Sequence, residues 1–193
     1  MIPWFNISLG LLERLITIGL LIAIIIFQPE VRRALARRRF FLTSEVRSSQ
    51  VVRQVIDAVE MLSKSKIGAL LVIERSTGLA PYIESGIKID APISTELLVS
   101  IFIPRTPLHD GAVIIQGDRI AAAACLLPLS ESKILDKRLG TRHRAAVGIS
   151  EESDALVMVV SERTGVISVA ENGQLTRFVP KEVLEEKIFG IKK

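Results

Sequence analysis

Apolar residues recur along this chain with the two periods that distinguish helices from strands. Residues 49–62 carry apolar side chains three and four positions apart with charged residues between them, which predicts an amphipathic helix. Start signals predict three further helices, which are residues 95–102 capped by Ser94, residues 142–149 capped by Thr141, and residues 180–189 with Pro180 in the first position.

Short apolar runs separated by turn residues predict the strands. These runs are residues 67–73, 112–115, 119–127, 155–160 and 166–170. Turns are predicted at Gly117-Asp118, at Gly165 and over residues 171–173. Because helical and strand segments intermingle along the chain, the predicted fold class is α/β, a mixed β-sheet flanked by helices.

The first 40 residues have a different pattern. Residues 15–27 contain no charged side chain, and five arginines follow within residues 32–39. An apolar segment with a basic cluster at its end is typical of a membrane helix whose basic end faces the cytoplasm. The alternative is a buried helix with a solvated basic end. We therefore predict an N-terminal transmembrane helix with a basic juxtamembrane segment over residues 1–40, and a separate domain over residues 41–193.

The distribution of charge narrows the choice of partner. The 193 residues carry a net charge of +4, and residues 1–50 hold seven basic and three acidic side chains. This end accounts for the whole excess, and aromatic residues make up only 5% of the chain. A nucleic-acid-binding face needs basic and stacking residues across the domain, so the sequence argues against one. The single cysteine, Cys125, excludes a disulfide framework and is expected to be a buried bystander.

The first motif whose residues could take part in binding or catalysis is His109-Asp110-Gly111-Ala112, which leads into a predicted strand. A carboxylate at a strand start can bind a divalent metal or accept a proton from an attacking hydroxyl group, and His109 could add a nitrogen ligand. Gly111 has no side chain, so a ligand could approach the backbone closely. The alternative interpretation is an ordinary Asp-Gly turn.

Two more motifs carry groups that could bind a ligand, one a phosphate and the other a metal ion. Residues 141–144, Thr-Arg-His-Arg, open a predicted helix, where free N–H groups, the helix dipole and two guanidinium groups favour phosphate. Residues 161–165, Ser-Glu-Arg-Thr-Gly, follow a predicted buried strand, and Glu162 could be a second metal ligand. A solvated basic helix start and a polar turn are the respective alternatives. Together the three motifs predict a nucleotide or phosphate site.

At these residues the sequence resembles the diadenylate cyclases (DAC domain), and within them the membrane-bound CdaA type. The two signature triplets of the family stand here as Asp110-Gly111-Ala112 and Arg142-His143-Arg144. The flanking stretches TPLHDGAVII, LGTRHRAAVGISEESDA and VVSERTG match as well. The likeness covers nearly the whole chain.

The resemblance implies that two ATP molecules are joined into cyclic di-AMP with release of two pyrophosphates. Two protomers would face each other as a homodimer, each binding one ATP. The catalytic residues would be Asp110, Gly111 and Ala112, with Asp110 orienting or activating the ribose 3′-hydroxyl. The ATP-binding residues would be Gly78, Leu79, Leu126, Leu127, Thr141, Arg142, His143, Arg144 and Ser161. The ligands of Mn²⁺ or Mg²⁺ would be Asp110, His109 and Glu162.

The resemblance also implies a place at a bacterial cell membrane, with the catalytic domain in the cytoplasm. A membrane-anchored cyclase regulator and phosphoglucosamine mutase are the partners it suggests. Relatives of this type carry three membrane helices where this sequence has one, and Arg163 stands where many carry an acidic residue. The residues leave two other functions open: a membrane-tethered, non-catalytic nucleotide sensor, and a metal-dependent hydrolase built on His109, Asp110 and His143.

Overall fold

The computed structural model describes residue 14, residues 17–18, residues 49–132 and residues 139–189. The chain divides into two units, Met1–Glu45 and Val46–Lys193, and every element named below belongs to the second. Apart from residues 14, 17 and 18, the membrane segment and basic cluster predicted over residues 1–40 lie outside the described residues. Within the described parts, no helix combines the length and apolar character needed to cross a bilayer.

Helices and strands intermingle through residues 49–132 and 139–189. The helices are α1 (Ser49–Lys64), α2 (Ala80–Glu84), α3 (Thr95–Phe102), α4 (Thr141–Glu152) and α5 (Lys181–Phe189). The strands are β1 (Ala69–Ile73), β2 (Ile87–Pro92), β3 (Ala112–Gln116), β4 (Arg119–Cys125), β5 (Leu156–Val160), β6 (Ile167–Glu171) and β7 (Gln174–Arg177).

All seven strands form one sheet in the order β2-β4-β3-β1-β5-β6-β7. Strands β1 and β3 are parallel, and every other neighbouring pair is antiparallel. The sheet is therefore mixed, which confirms the predicted α/β fold class. Because β1 and β3 run the same way, the chain needs a long connection between them, and α2, β2 and α3 provide it.

Strand β1 lies at the centre of the sheet, and all of its residues are buried. Ala69, Leu71 and Ile73 belong to one apolar cluster, whereas Leu70 and Val72 belong to another. This alternation follows from the two-residue period of a strand. Residues of α1, α3 and α5 complete the first cluster, and residues of α4 complete the second. Helices thus cover both faces of the sheet, as an apolar central strand requires.

Several predicted boundaries are confirmed at the level of single contacts. Ser94 is the N-cap of α3, and its hydroxyl oxygen accepts a hydrogen bond from the Leu97 N–H at 3.2 Å. The predicted turn at Gly117-Asp118 joins β3 to β4, and Gly117 has a φ of +60°. Glycine adopts that conformation without the strain that a side chain would add.

Two predicted helix starts are shifted by one residue. Gly140 rather than Thr141 is the N-cap of α4, because Gly140 has extended backbone and Thr141 is already helical. Helix α5 begins at Lys181, and the carbonyl oxygen of Pro180 accepts the Leu184 N–H at 3.1 Å. Pro180 therefore precedes the helix instead of occupying its first position.

Three short elements, α2, β2 and β7, were not predicted from the pattern. Strands β2 and β7 form the two edges of the sheet, and neither has a buried residue. Their sequences therefore lack the apolar run that indicates a strand. Asp90 in β2 has a φ of +48° and lies where the register with β4 shifts, which further weakens the pattern.

Close packing of α4 against the segment after β4 generates a stability prediction. A Cβ atom at Gly148 would lie 2.2 Å from the carbonyl oxygen of Pro128. We expect Gly148→Ala to lower the free energy of unfolding by about 1–3 kcal/mol, because the backbone must shift to relieve the clash. Equilibrium urea unfolding measures this effect.

Gly78→Ala is the matched control, because a Cβ there meets nothing within 4 Å. It should change the free energy of unfolding by less than about 0.5 kcal/mol. Without the clash, Gly148→Ala would stabilise the protein, because alanine is preferred over glycine inside a helix by about 1 kcal/mol. A Gly148→Ala protein that is as stable as the parent, or more stable, would show that this contact does not constrain α4.

Candidate functional site

The ends of four neighbouring strands, β4, β3, β1 and β5, meet along one side of the sheet. This side runs across the strands and is called the site edge below, as distinct from the edge strands β2 and β7. Residues that precede β1 and β3 lie beside residues that follow β4 and β5, because β1 and β3 are parallel and their outer neighbours are antiparallel to them. Continuing both registers past the start of β1 brings Gly68 between Asp110 and Ser161. At a strand spacing of about 4.8 Å, strands β3 and β5, which adjoin these two residues, lie about 10 Å apart.

Helix α4 begins above this edge and contributes an ion pair. Nη1 of Arg142 lies 2.7 Å from Oε2 of Glu162, and the two side chains are 21% and 71% exposed. A Cβ on Gly68 would lie 2.7 Å from Nη1 of Arg142 and 3.0 Å from Cβ of Glu162. Gly68 therefore leaves the space that the ion pair fills. Nε of Arg142 is buried without a hydrogen-bond partner among the described residues.

A pocket of about 240 Å³ opens at this ion pair. Five of the residues predicted for the site line it, namely Thr141, Arg142, His143, Ser161 and Glu162. The other lining residues are Leu139, Gly140, Val160, Arg163, Thr164 and Arg177. The structure thus brings the second and third motifs into one cavity.

The start of α4 is suited to an anion. Gly140 provides no side-chain cap, and the first turn contains no acidic residue that would compete with a ligand. The positive end of the helix dipole and free N–H groups point out of this end of a helix. Together with the guanidinium group of Arg142, these donors match the oxygen atoms of a phosphate.

His143 is 7% exposed and packs beneath the pocket. Burial lowers the pKa of its imidazole, and the positive charge of Arg177 lowers the pKa further. The ring is therefore neutral at pH 7 and can donate one hydrogen bond without adding a charge. Its backbone N–H donates to the Gly140 carbonyl oxygen at 3.1 Å.

Arg144 has a different environment from Arg142. Its Nε and Nη2 atoms donate to the carbonyl oxygen of Ser130 at 3.3 and 3.1 Å, and the Ser130 N–H donates back to the Arg144 carbonyl oxygen at 3.0 Å. Arg144 does not line the pocket. In this structure it holds the segment after β4 against α4, and its predicted contact with phosphate stays a prediction.

The Asp110 motif lies at the same edge, on the far side of β1 from the pocket. Asp110 is exposed at the entry to β3, and Ala112 is buried as its first residue. Gly111 has a φ of +116°, and a Cβ there would lie 2.7 Å from the backbone of Ala124. Only glycine fits this position, which fixes the path of the loop. Nδ1 of His109 lies 2.6 Å from the Thr106 carbonyl oxygen, to which it donates.

The four residues predicted near the base and ribose are not gathered in one place. Leu126 follows β4 at the site edge and is 71% exposed, and Leu127 is half-buried against the second apolar cluster. Gly78 and Leu79 follow the opposite end of β1. Leu79 is fully buried there, and its N–H donates to the Glu74 carboxylate at 2.9 Å.

Sequence reasoning missed Gly68 and Arg177. The apolar pattern places Gly68 inside the predicted strand over residues 67–73, whereas in the structure it precedes β1. Arg177 ends a short exposed edge strand. Neither residue belongs to a motif, and only the pairing of strands brings them to the site.

A preformed metal cage is absent from the described residues, which contain no group of three or more His, Cys, Asp or Glu side chains placed to hold an ion. The predicted ligands are nevertheless oxygen-rich and lie at one edge of the sheet. Mg²⁺ and similar cations are commonly bound by one or two carboxylates together with substrate phosphates. The donor set fits a cation of that kind.

Comparisons with known proteins identify relatives of this chain. Residues 56–175 match the DAC family, described as DisA bacterial checkpoint controller nucleotide-binding. The chain is 54% identical over 185 residues to the cyclic di-AMP synthase CdaA of Bacillus subtilis, covering 92% of this chain and 68% of that protein. It is 50% identical over 181 residues to a diadenylate cyclase of Listeria monocytogenes, covering 90% and 66%.

Solved structures show the same fold. DacA from Staphylococcus aureus, in the form of a double cysteine mutant, superposes with a TM-score of 0.72 at 55% identity, covering 73% of this chain and 94% of that chain. A hypothetical membrane spanning protein from Bacillus cereus gives a TM-score of 0.66 at 39% identity, covering 81% and 80%.

The fold and the family match define a nucleotide-binding α/β domain. The family match extends over more than half of the sequence, and the relatives align along most of it. The chain belongs to the diadenylate cyclase family, and it is an enzyme of that class. The resemblance seen in the two signature triplets is thereby confirmed.

The burial of His143 predicts a pH dependence of stability. Because its pKa is lower in the folded protein than in the unfolded chain, its contribution to stability is complete above about pH 6.5 and is lost as the pH falls below that value. We expect the parent protein to lose more stability between about pH 7.5 and pH 5.5 than His143→Gln does. Urea unfolding at both pH values measures the difference.

His109→Gln is the control, because it removes the only other histidine of the chain. Equal losses of stability in the parent and in His143→Gln would contradict the assignment.

Proposed function

We propose that each protomer binds one ATP at this edge and that two protomers face each other to make cyclic di-AMP. The oxygen of each ribose 3′-hydroxyl forms a bond to the α-phosphorus of the other ATP. The bond from that phosphorus to the bridging oxygen breaks, and pyrophosphate leaves with the electron pair. The arrangement that supports this mechanism is the strand edge at which the Asp110 loop and the start of α4 lie on either side of Gly68.

The start of α4 binds the phosphates in this mechanism. Thr141 and Arg142 supply N–H groups and a guanidinium group, and neutral His143 and the Ser161 hydroxyl add donors. Arg142 exchanges its ion pair with Glu162 for a phosphate oxygen. The exchange leaves no buried charge unpaired, because the guanidinium keeps an anionic partner throughout.

Asp110 accepts the proton of the 3′-hydroxyl or orients this group for attack. Its carboxylate is exposed, and the glycine after it lets a sugar approach the backbone. Gly111 and Ala112 contact the nucleotide through main-chain atoms. Leu126 offers an exposed apolar surface to the base at the same edge, and Leu127 supports it.

Mn²⁺ or Mg²⁺ is the expected cofactor, with Asp110, His109 and Glu162 as its protein ligands. When bound, the cation neutralises charge that develops on the phosphate oxygens. Glu162 becomes available as a ligand when phosphate takes its place beside Arg142. Arg163 is exposed beside it and lines the same pocket, where its charge favours phosphate.

The two-fold assembly follows from the product, whose two halves are identical. A face-to-face dimer makes both bonds with two copies of the same site. Residues 1–40 anchor the enzyme at the membrane and residues 41–193 carry the chemistry in the cytoplasm. This division is consistent with one solved structure that matches the chain, which is described as a hypothetical membrane spanning protein.

Asp110→Asn tests the catalytic step. We expect turnover to fall by about 10²–10⁴-fold while ATP affinity stays within about threefold, because the amide cannot accept the proton. Chromatography of the nucleotide products gives turnover, and calorimetric titration gives affinity. Asp118→Asn is the control, since this exposed aspartate lies in the turn at the opposite edge of the sheet. Full activity of Asp110→Asn would remove Asp110 from the mechanism.

The dimer requirement predicts that activity depends on enzyme concentration. The rate of cyclic di-AMP formation per protomer should fall in proportion to the dimer fraction as the enzyme is diluted through its dissociation range. Sedimentation and product analysis on the same samples compare the two quantities. A monomeric sample with undiminished activity per protomer would contradict the face-to-face mechanism.

A further inference from the structure

Arg177 lies at the end of β7 and lines the same pocket as Arg142, His143 and Glu162. Its guanidinium carbon lies 5.2 Å from the centre of the Phe178 ring, which supports the planar group by a cation–π contact. Among the described residues it takes part in no ion pair, whereas Arg142 is paired with Glu162. Arg177 therefore brings an uncompensated positive charge to the cavity.

The charge of Arg177 acts inside the pocket. Burial is the larger cause of the lowered pKa of His143, and the positive charge of Arg177 is the second cause. Arg177 is exposed to solvent and lines the same pocket as the buried His143, so its positive charge opposes protonation of the imidazole. The pocket also contains Arg163 and Glu162. Three arginines and one carboxylate give the cavity a net positive charge that favours a polyanion.

The order of the strands indicates which part of a triphosphate reaches Arg177. Strand β7 is separated from β3, which follows Asp110, by β1, β5 and β6. At a spacing of about 4.8 Å, four steps separate their backbones by about 19 Å. In the proposed function the α-phosphorus reacts close to Asp110. The phosphates farther from the ribose therefore extend across the start of α4, which packs over β1, β5, β6 and β7.

We propose that Arg177 is a further substrate-binding residue, which contacts the β- and γ-phosphates of ATP and the pyrophosphate that leaves. This inference depends on the proposed function for the location of the α-phosphate. An arginine fork binds two phosphate oxygens at once, and Phe178 limits the rotation of the guanidinium group. Arg177 thus discriminates a nucleoside triphosphate from a monophosphate.

Calorimetric titrations of the full chain with three ligands test the proposal: α,β-methylene-ATP, which cannot react, AMP and pyrophosphate. We expect Arg177→Gln to weaken α,β-methylene-ATP and pyrophosphate by at least about tenfold each. AMP should change by less than about twofold, because it lacks the two distal phosphates. Arg177→Lys keeps the charge without the fork and should recover part of the loss.

Arg119→Gln is the matched control. Arg119 is also an exposed arginine of the sheet, but it starts β4 and pairs with Asp90 at 2.8 Å. It should bind all three ligands as the parent does. Equal weakening of AMP and α,β-methylene-ATP by Arg177→Gln would overturn the proposal, and so would unchanged affinity for all three.

A spectroscopic readout separates a charge in the pocket from a structural role. The chain has two histidines, so NMR titration in a His109→Gln background reports His143 alone. Removing the charge of Arg177 should raise the pKa of His143, and Arg177→Lys should largely keep it low. An unchanged pKa in Arg177→Gln would place the guanidinium outside the pocket and overturn the proposal.

Phe178→Leu is the second variant, because it keeps every charge and removes only the supporting ring. It should lower the affinity for pyrophosphate less than Arg177→Gln does, and a stronger effect would contradict the proposal.

Binding is measured with ligands that do not react. If the chain failed to make cyclic di-AMP, the proposed function would fail while the phosphate contact of Arg177 remained testable.

Discussion

The parallel pairing of β1 with β3, inside an otherwise antiparallel sheet, is the constraint on which the site depends. It makes the two central strands start at the same edge, while their outer neighbours end there. Loops that are far apart in sequence therefore meet in a row. The pairing is held by the apolar faces of β1, which are buried on both sides. A slip of one residue would move every side chain of β1 into the opposite cluster, where the close packing is matched to other side chains.

The balance of charge at the pocket is the second organising feature. A guanidinium group that is mostly buried needs an anionic partner, and Glu162 provides one. The proposed mechanism replaces this internal carboxylate with a phosphate of the substrate. The site is in this sense already shaped for an anion, and a glycine at position 68 keeps the space for it open. Neutral His143 adds a donor without adding a further charge to be compensated.

Support from behind the site comes from contacts that do not touch the pocket. The guanidinium group of Arg144 donates to the carbonyl oxygen of Ser130, and the Ser130 N–H donates to the carbonyl oxygen of Arg144. Gly148 lets the backbone of Pro128 approach the helix closely. These contacts join the segment after β4 to α4. Since Leu126 lies on that segment and Arg142 on that helix, the surface assigned to the base and the donors assigned to the phosphates are held by one interlocked unit.

The sequence by itself determined the fold class and the family, because both depend on local patterns. The spacing of apolar residues predicts the buried helices and strands. Each signature triplet, at residues 110–112 and 142–144, is contiguous in the sequence and is recognised without the fold. Edge strands β2 and β7 escaped prediction, since neither has a buried residue. Only the tertiary structure decided that Gly68 lies between the motifs, that Arg144 bonds a backbone while Arg142 meets Glu162, and that Arg177 joins them. Those relations arise from strand pairing and helix packing between residues distant in the chain, which no local pattern encodes.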